Sequence, residues 1–248
     1  MNIQAYLNRF RAELKEECSL LYLTHLQEQH LLHVPYENLD IINGKEIIIE
    51  LNRFYDKIVE KERGGFCFEL SGLFNELLQQ LGFQTKLISG TVVRGEWIGE
   101  DCHAASIVTI DNIDYLVDVG YGDGPRRPLP LSGEVVTDVS GMYRVYPVAE
   151  QYDLQKNQGD QWITLYSFSP QYKQLTAFED SCRYLQTSPD SPYRQGRIVT
   201  IATEQGRVTL WGNSLIITQD GIKNKKDFEE QQFLSILQTY FEIKSSSL

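Results

Sequence analysis

The hydrophobic period of this chain changes at Gly82, and that change constrains the fold more than any other feature. Up to Gly82 the apolar residues recur mainly at helical spacing, with turn signals near Pro35 and Gly44 and a short strand-like run at Glu46–Leu51. From Gln84 to about Leu185 the chain becomes strand-rich, and strands are expected at Thr85–Val93, His103–Ile110, Ile113–Val119 and Trp162–Phe168. Beyond Ser188 the pattern predicts strands at Arg197–Thr203, Arg207–Leu210 and Ser214–Thr218, then a terminal helix over Lys226–Ile243. The closing Lys244-Ser-Ser-Ser-Leu248 is expected to be mobile. No internal repeat or low-complexity linker breaks this order.

A chain of 248 residues buries a substantial core in one compact unit or in two to three small domains. A net charge of −11 argues against general nucleic-acid binding. The cysteines Cys18, Cys67, Cys102 and Cys182 are widely spaced, with no CxxC pair and no signal peptide, which predicts reduced thiols in the cytoplasm. No apolar run approaches the roughly 20 residues of a spanning helix, so no membrane partner is expected. His30 and His33 share a helical face, but no cysteine or carboxylate cluster completes a site there, and no metal is expected.

The segment Arg63-Gly64-Gly65-Phe66-Cys67-Phe68-Glu69 places a cysteine directly after a glycine pair, where a helix begins. Leu70, Phe74, Leu77, Leu78 and Leu81 then recur at the spacing of one buried helical face, and Cys67 falls on that face in the first turn. Free backbone N–H groups and the positive end of the helix dipole favour a thiolate there. In such surroundings a thiol with pKa about 8.5 drops to roughly 3.5–7.5. Cys67 is therefore a candidate nucleophile, and it needs a base.

Of the histidines His25, His30, His33 and His103, only the last lies in strand-like sequence. If Asp111-Asn112 closes a two-residue hairpin, Ile110 pairs with Ile113, Ala105 faces Asp118 and His103 faces Gly120. His103 and Asp118 then emerge on one face as a diagonal pair, about 7–8 Å apart at the backbone and within side-chain reach. A slip of one residue would send them to opposite faces. In this register Asp118 orients the His103 ring and His103 takes the Cys67 proton, the arrangement of covalent catalysis by a cysteine triad.

The same motifs, in the same order, resemble those of the arylamine N-acetyltransferases. The cysteine segment matches that family's nucleophile motif, and Asp118-Val119-Gly120-Tyr121-Gly122 resembles its Asp-Val-Gly-Phe-Gly segment. Val34-Pro35-Tyr36-Glu37-Asn38-Leu39 and Ala5-Tyr6-Leu7-Asn8-Arg9 are similar to its upstream signatures. Thr187–Pro192 and Arg207–Gly212 resemble its less specific third-domain pattern.

The resemblance implies an α+β fold with a cysteine-peptidase-like core. Its expected parts are a helical domain over 1–83, a β-barrel domain over 84–187 and an α/β lid over 188–248. It implies Cys67 as nucleophile, His103 as base and Asp118 as orienter in ping-pong acetyl transfer from acetyl-coenzyme A to an arylamine or arylhydrazine. No tightly bound cofactor is implied. A cysteine hydrolase or peptidase using the same triad is the alternative.

Tyr36, Val92 and Tyr121 match positions lining the acceptor pocket, and Glu37 with Arg63 is expected to form a bidentate ion pair bracing the nucleophile loop. Because coenzyme A is an anion, backbone amides near Gly95, Gly99 and Gly122, or the Arg126-Arg127 pair, are candidates to meet it. Tyr36 and Tyr121 stand where the family has phenylalanine, Ser71 where it often has asparagine, and Cys102 where threonine is common. The chain is also somewhat short for the family, which implies a trimmed C-terminal lid. The number of subunits is left open.

Overall fold

The computed structural model describes residues 1–94 and 97–248. Helices α1 (Ile3–Arg9) and α2 (Leu20–His33) open at side-chain caps, Asn2 accepting from the Ala5 N–H and Ser19 from the Tyr22 N–H. Strand β1 (Tyr36–Glu37) and helices α3 (Leu39–Ile42) and α4 (Leu51–Tyr55) follow, α4 running on into a π-helical turn at Asp56–Glu60. Helix α5 (Cys67–Gln80) begins where the glycine pair predicts. It is buried nearly all round rather than on one face, because it contacts α4 on one side and the strands after Gly82 on the other.

The strand expected at Glu46–Leu51 does not form. Leu51 opens α4, and the preceding backbone is irregular. Ile47 and Ile49 still bury their side chains. The Gln186 side chain bonds both the N–H and the carbonyl of Ile47, at 2.6 and 3.0 Å, so the work of a neighbouring strand is done by an amide from a distant helix.

Strands β2 (Gln84–Arg94), β3 (Trp97–Ile110), β4 (Ile113–Val117), β5 (Leu129–Pro130), β6 (Val136–Asp138), β7 (Gly141–Val148), β8 (Gln151–Gln158) and β9 (Gln161–Phe168) form one antiparallel sheet, ordered β5-β4-β3-β2-β9-β8-β7-β6. Contact between β5 and β7 curls it into a nearly closed barrel. The β3–β4 register is the one expected, with Ile110 opposite Ile113 and Ser106 opposite Val117. Asp111 and Asn112 both have positive φ, 51° and 62°, the conformation a two-residue hairpin of this twist requires. The β7–β8 hairpin was not evident in the sequence, since Gln, Asp, Lys and Asn dominate β8; pairing with neighbours on both sides overrides that composition.

After helix α6 (Glu179–Thr187), strands β10 (Ile198–Thr203), β11 (Gly206–Trp211), β12 (Ser214–Gln219) and β13 (Ile222–Asp227) make a second antiparallel sheet, which helix α7 (Phe233–Phe241) covers. The two-residue β1 supplies its edge by pairing with β10, so the segment before the nucleophile loop is stitched into the C-terminal sheet. The terminal helix starts at Phe233 rather than Lys226, because Asp220 and Gly221, both at positive φ, turn the chain back into β13. An Asp-Gly dipeptide is a hairpin signal in the sequence itself. The tail is also placed against the body of the protein: Lys244 pairs with Glu62, and Leu248 packs on the second core. The architecture is the expected α+β one.

Candidate active site

The glycine pair before Cys67 is required by crowding. A Cβ on Gly64 would lie 2.2 Å from the Pro35 carbonyl oxygen, a contact no side chain tolerates. The close approach lets the Gly65 N–H donate to Pro35 O at 3.2 Å and the Glu37 N–H donate to Gly65 O at 2.9 Å. Below this crossing lies a buried charge cluster. The Arg63 guanidinium reaches Glu37 at 2.5 Å and Asp40 at 2.7 Å, so its fork is split between two carboxylates instead of closing on Glu37 alone. Lys57 completes the cluster, 2.8 Å from Asp40 and 2.7 Å from Glu69. Glu69 in turn accepts the Phe66 N–H at 2.7 Å, satisfying a free donor at the start of α5.

Cys67 is the first residue of α5 and is buried. Its Sγ lies 3.6 Å from the backbone carbonyl of Cys102, the residue preceding His103. The influence of the helix start on the thiol meets an opposing one. Burial pushes the thiol well above its usual pKa, the nearby Cys102 and Cys182 thiols push the same way, and the hydrogen bond from the Phe68 N–H only partly opposes them. The helix terminus acts as expected, but desolvation outweighs it.

His103 and Asp118 meet as the register predicts, Nε2 to Oδ2 at 2.8 Å, both buried. Asp118 sits one residue past the end of β4, where the chain leaves the ladder and turns. Its Oδ1 accepts the N–H groups of Gly120 and Tyr121 at 2.8 and 3.0 Å. Its Oδ2 also accepts the Tyr166 hydroxyl at 2.8 Å. Burial alone would raise the Asp118 pKa, but His103, Tyr166 and the Gly120 N–H together hold the carboxyl below its usual value. Tyr166 comes from β9, and its ring centroid lies 4.7 Å from that of His103. Gln27 on α2 donates to the Pro125 carbonyl at 3.1 Å and supports the same loop. Neither Tyr166 nor Gln27 carried a signal in the sequence: both arrive by tertiary packing alone.

Behind Tyr121 opens a cleft of about 770 Å³ between the barrel and the C-terminal sheet. Tyr36, Tyr121, Gly122 and Tyr193 line it, and the Tyr121 ring stands edge-on to His103 with centroids 5.6 Å apart. Val92 and Gly99 are placed elsewhere: they face each other across the β2–β3 ladder, buried. A Cβ on Gly99 would meet the Trp97 ring at 2.2 Å and the Cys102 sulfur at 2.3 Å, so its glycine makes room for packing. Gly95 lies outside the described residues.

Of the Arg126-Arg127 pair offered to coenzyme A, Arg126 is engaged within the fold. It is buried and donates to Ser140 Oγ and to the carbonyls of Thr203 and Gly206, clamping the barrel to the second sheet. His30 is a core histidine, its Nε2 2.9 Å from the Tyr6 hydroxyl. Among the described residues no helix is long and apolar enough to cross a membrane.

A family model described as N-acetyltransferase matches residues 19–247. The crystal structure of arylamine N-acetyltransferase C from Bacillus anthracis superimposes with a TM-score of 0.92 at 27% identity, covering 98% of this chain and 99% of that one. The Mycobacterium marinum arylamine N-acetyltransferase in complex with CoA gives a TM-score of 0.91 at 27% identity, covering 98% and 93%. In sequence, the pineal gland isozyme NAT-10 of Gallus gallus is 30% identical over 93% of this chain and 88% of its own length. Fold, cysteine-centred site and these matches define an acyl-transferring enzyme. The chain belongs to the arylamine N-acetyltransferase family. The chain spans 99% of the Bacillus anthracis relative and 93% of the Mycobacterium marinum one.

Proposed function

We propose that this enzyme moves an acetyl group from acetyl-coenzyme A to the nitrogen of an arylamine or arylhydrazine, through a thioester on Cys67. The observation that carries the reading is the placement of Cys67 Sγ against the carbonyl of Cys102, one residue from a His103 already held by Asp118. With Nε2 engaged by the carboxylate, Nδ1 is the ring nitrogen free to exchange protons. Burial raises the thiol's pKa, and His103 is the base that removes the Cys67 proton for attack of the sulfur on the acetyl carbonyl.

The C–S bond to coenzyme A then breaks, and the imidazolium returns its proton to the departing thiol. In the second half the amine attacks the Cys67 thioester, His103 takes the amine proton, and the proton goes back to the Cys67 sulfur as the amide leaves. Asp118 stabilises the imidazolium in both halves, and the backbone N–H groups at the start of α5 are the natural donors to the transient oxyanion. Tyr36 and Tyr121 supply aromatic walls for the acceptor in the adjoining cleft.

Mass spectrometry tests this. Incubation with acetyl-coenzyme A should add one acetyl group to Cys67, and an arylamine should discharge it. Cys67→Ala should abolish the adduct and leave the fold intact. An acetyl group on another residue, or turnover in Cys67→Ala, would refute the assignment.

A further inference from the structure

Two buried arginines sit at the seam between the barrel and the second sheet, and they are used differently. Arg126 places all of its guanidinium nitrogens on oxygen acceptors. Arg207, 8% exposed, does not. Its Nη1 donates to Thr200 Oγ1 at 3.2 Å and its Nε lies 3.3 Å from Asp123, while Nη2 is buried with no partner among the described residues. A buried guanidinium nitrogen left without an acceptor is costly, and an oxyanion brought to it would relieve that cost.

Arg207 lines the cleft that opens at Tyr121, together with Lys156 and Lys223. Asp123 is shared between Arg207 and Lys156 at 3.3 and 3.4 Å, and its side chain is 61% exposed. In a chain of net charge −11, this is a local surplus of positive charge beside the active site. Thr200, the hydroxyl partner of Arg207, lies opposite Tyr36 in the β1–β10 ladder and touches the position of a Gly122 Cβ at 3.2 Å. The cationic group is therefore next to the aromatic walls assigned above to the acceptor.

We propose that Arg207 is a specificity-determining residue that receives an oxyanion of a substrate, with Asp123 as the exchangeable counter-ion the substrate displaces. This rests on the acetyl-transfer reading and extends it. A carboxylate on the acceptor ring and a phosphate of the donor nucleotide share the needed chemistry, two oxygens matched to a guanidinium fork.

Steady-state kinetics with two acceptors, 4-aminobenzoate and neutral 4-aminobenzamide, and two donors, acetyl-coenzyme A and phosphate-free S-acetyl-N-acetylcysteamine, separates the sources. Arg207→Gln should raise KM about tenfold for the anionic member of one pair relative to its neutral counterpart. A shift confined to the acceptor pair assigns the carboxylate, and one confined to the donor pair assigns the phosphate. Asp123→Asn, at an exposed position, should lower the same KM severalfold. Equal shifts for charged and neutral substrates, or none, would overturn the proposal. If Arg207→Gln does not fold, the Asp123→Asn selectivity decides alone. Failure of the acetyl-transfer reading would look different: the wild-type protein would acquire no acetyl group from either donor. Thermal shifts of wild type and Asp123→Asn with coenzyme A and with 4-aminobenzoate then read the same selectivity.

Discussion

Replacing Lys57 with methionine should cost about 3–5 kcal/mol at neutral pH, a large part of the roughly 5–15 kcal/mol that holds a domain folded. Lys57 is nearly fully buried and sits among Glu69 at 2.7 Å, Asp40 at 2.8 Å and Glu37 at 3.8 Å. Methionine keeps the length and apolar stem but removes the charge, leaving three carboxylates to share Arg63. Burial already raises the Glu69 pKa, and Lys57 is the chief influence opposing it. Without Lys57, Glu69 takes up a proton more readily in the folded state than in the unfolded chain. The variant's penalty is therefore present at high pH and shrinks as pH falls toward the unfolded carboxylate value of about 4.3.

Urea denaturation of both proteins between pH 8 and pH 5 measures this, with ΔΔG narrowing on acidification. Adding Glu69→Gln should recover at least about 1 kcal/mol, because a neutral amide no longer needs the cation. A penalty below about 1 kcal/mol at pH 7, or one that does not vary with pH, would refute a cluster governed by charge burial. Because Glu69 accepts the Phe66 N–H, the variant should also loosen the first turn of α5 and slow acetylation of Cys67.

Tyr166→Phe removes a buried hydroxyl from Asp118 and should cut turnover about tenfold or more, for the loss of about 1.5–3 kcal/mol of charge-assisted hydrogen bonding; unchanged kcat/KM would show that Asp118 is held by its other partners alone. A Cβ on Gly120 would lie 2.5 Å from Ser71 Oγ and 3.0 Å from the Cys67 carbonyl, so Gly120→Ala should wedge the triad loop away from α5. It should lower activity more than melting temperature, and equal loss of both would point to general misfolding. Burial pulls the His30 pKa down to about 3, so between pH 6.5 and that value the unfolded chain binds a proton the native one does not. Native stability should then fall with decreasing pH at about 1.4 kcal/mol per unit from this group. Denaturation of His30→Phe over the same range should show a slope smaller by one proton.

The elements legible in the sequence were those specified by neighbours along the chain. Helix α5 follows from the spacing of Leu70, Phe74, Leu77 and Leu78, and its start from the glycine pair. The His103–Asp118 meeting follows from one turn, because Asp111-Asn112 sets the register and a strand's period of two does the rest. Where an element depended on remote partners, the pattern misled. In the apolar run at Glu46–Leu51 the Ile47 N–H and carbonyl are met by Gln186, and polar β8 forms because strands flank it on both sides.

Order along the chain was enough for the nucleophile helix, the hairpin that carries base and carboxylate, and the family. The electrostatics around them come from packing between distant segments. Lys57 between three carboxylates, Tyr166 on Asp118, a thiol whose pKa burial raises and the buried Nη2 of Arg207 are all set by what packs around each group. Local periodicity specifies which face of an element a side chain occupies. How far that face is removed from water, and which charges share its burial, depends on contacts between residues distant in the chain.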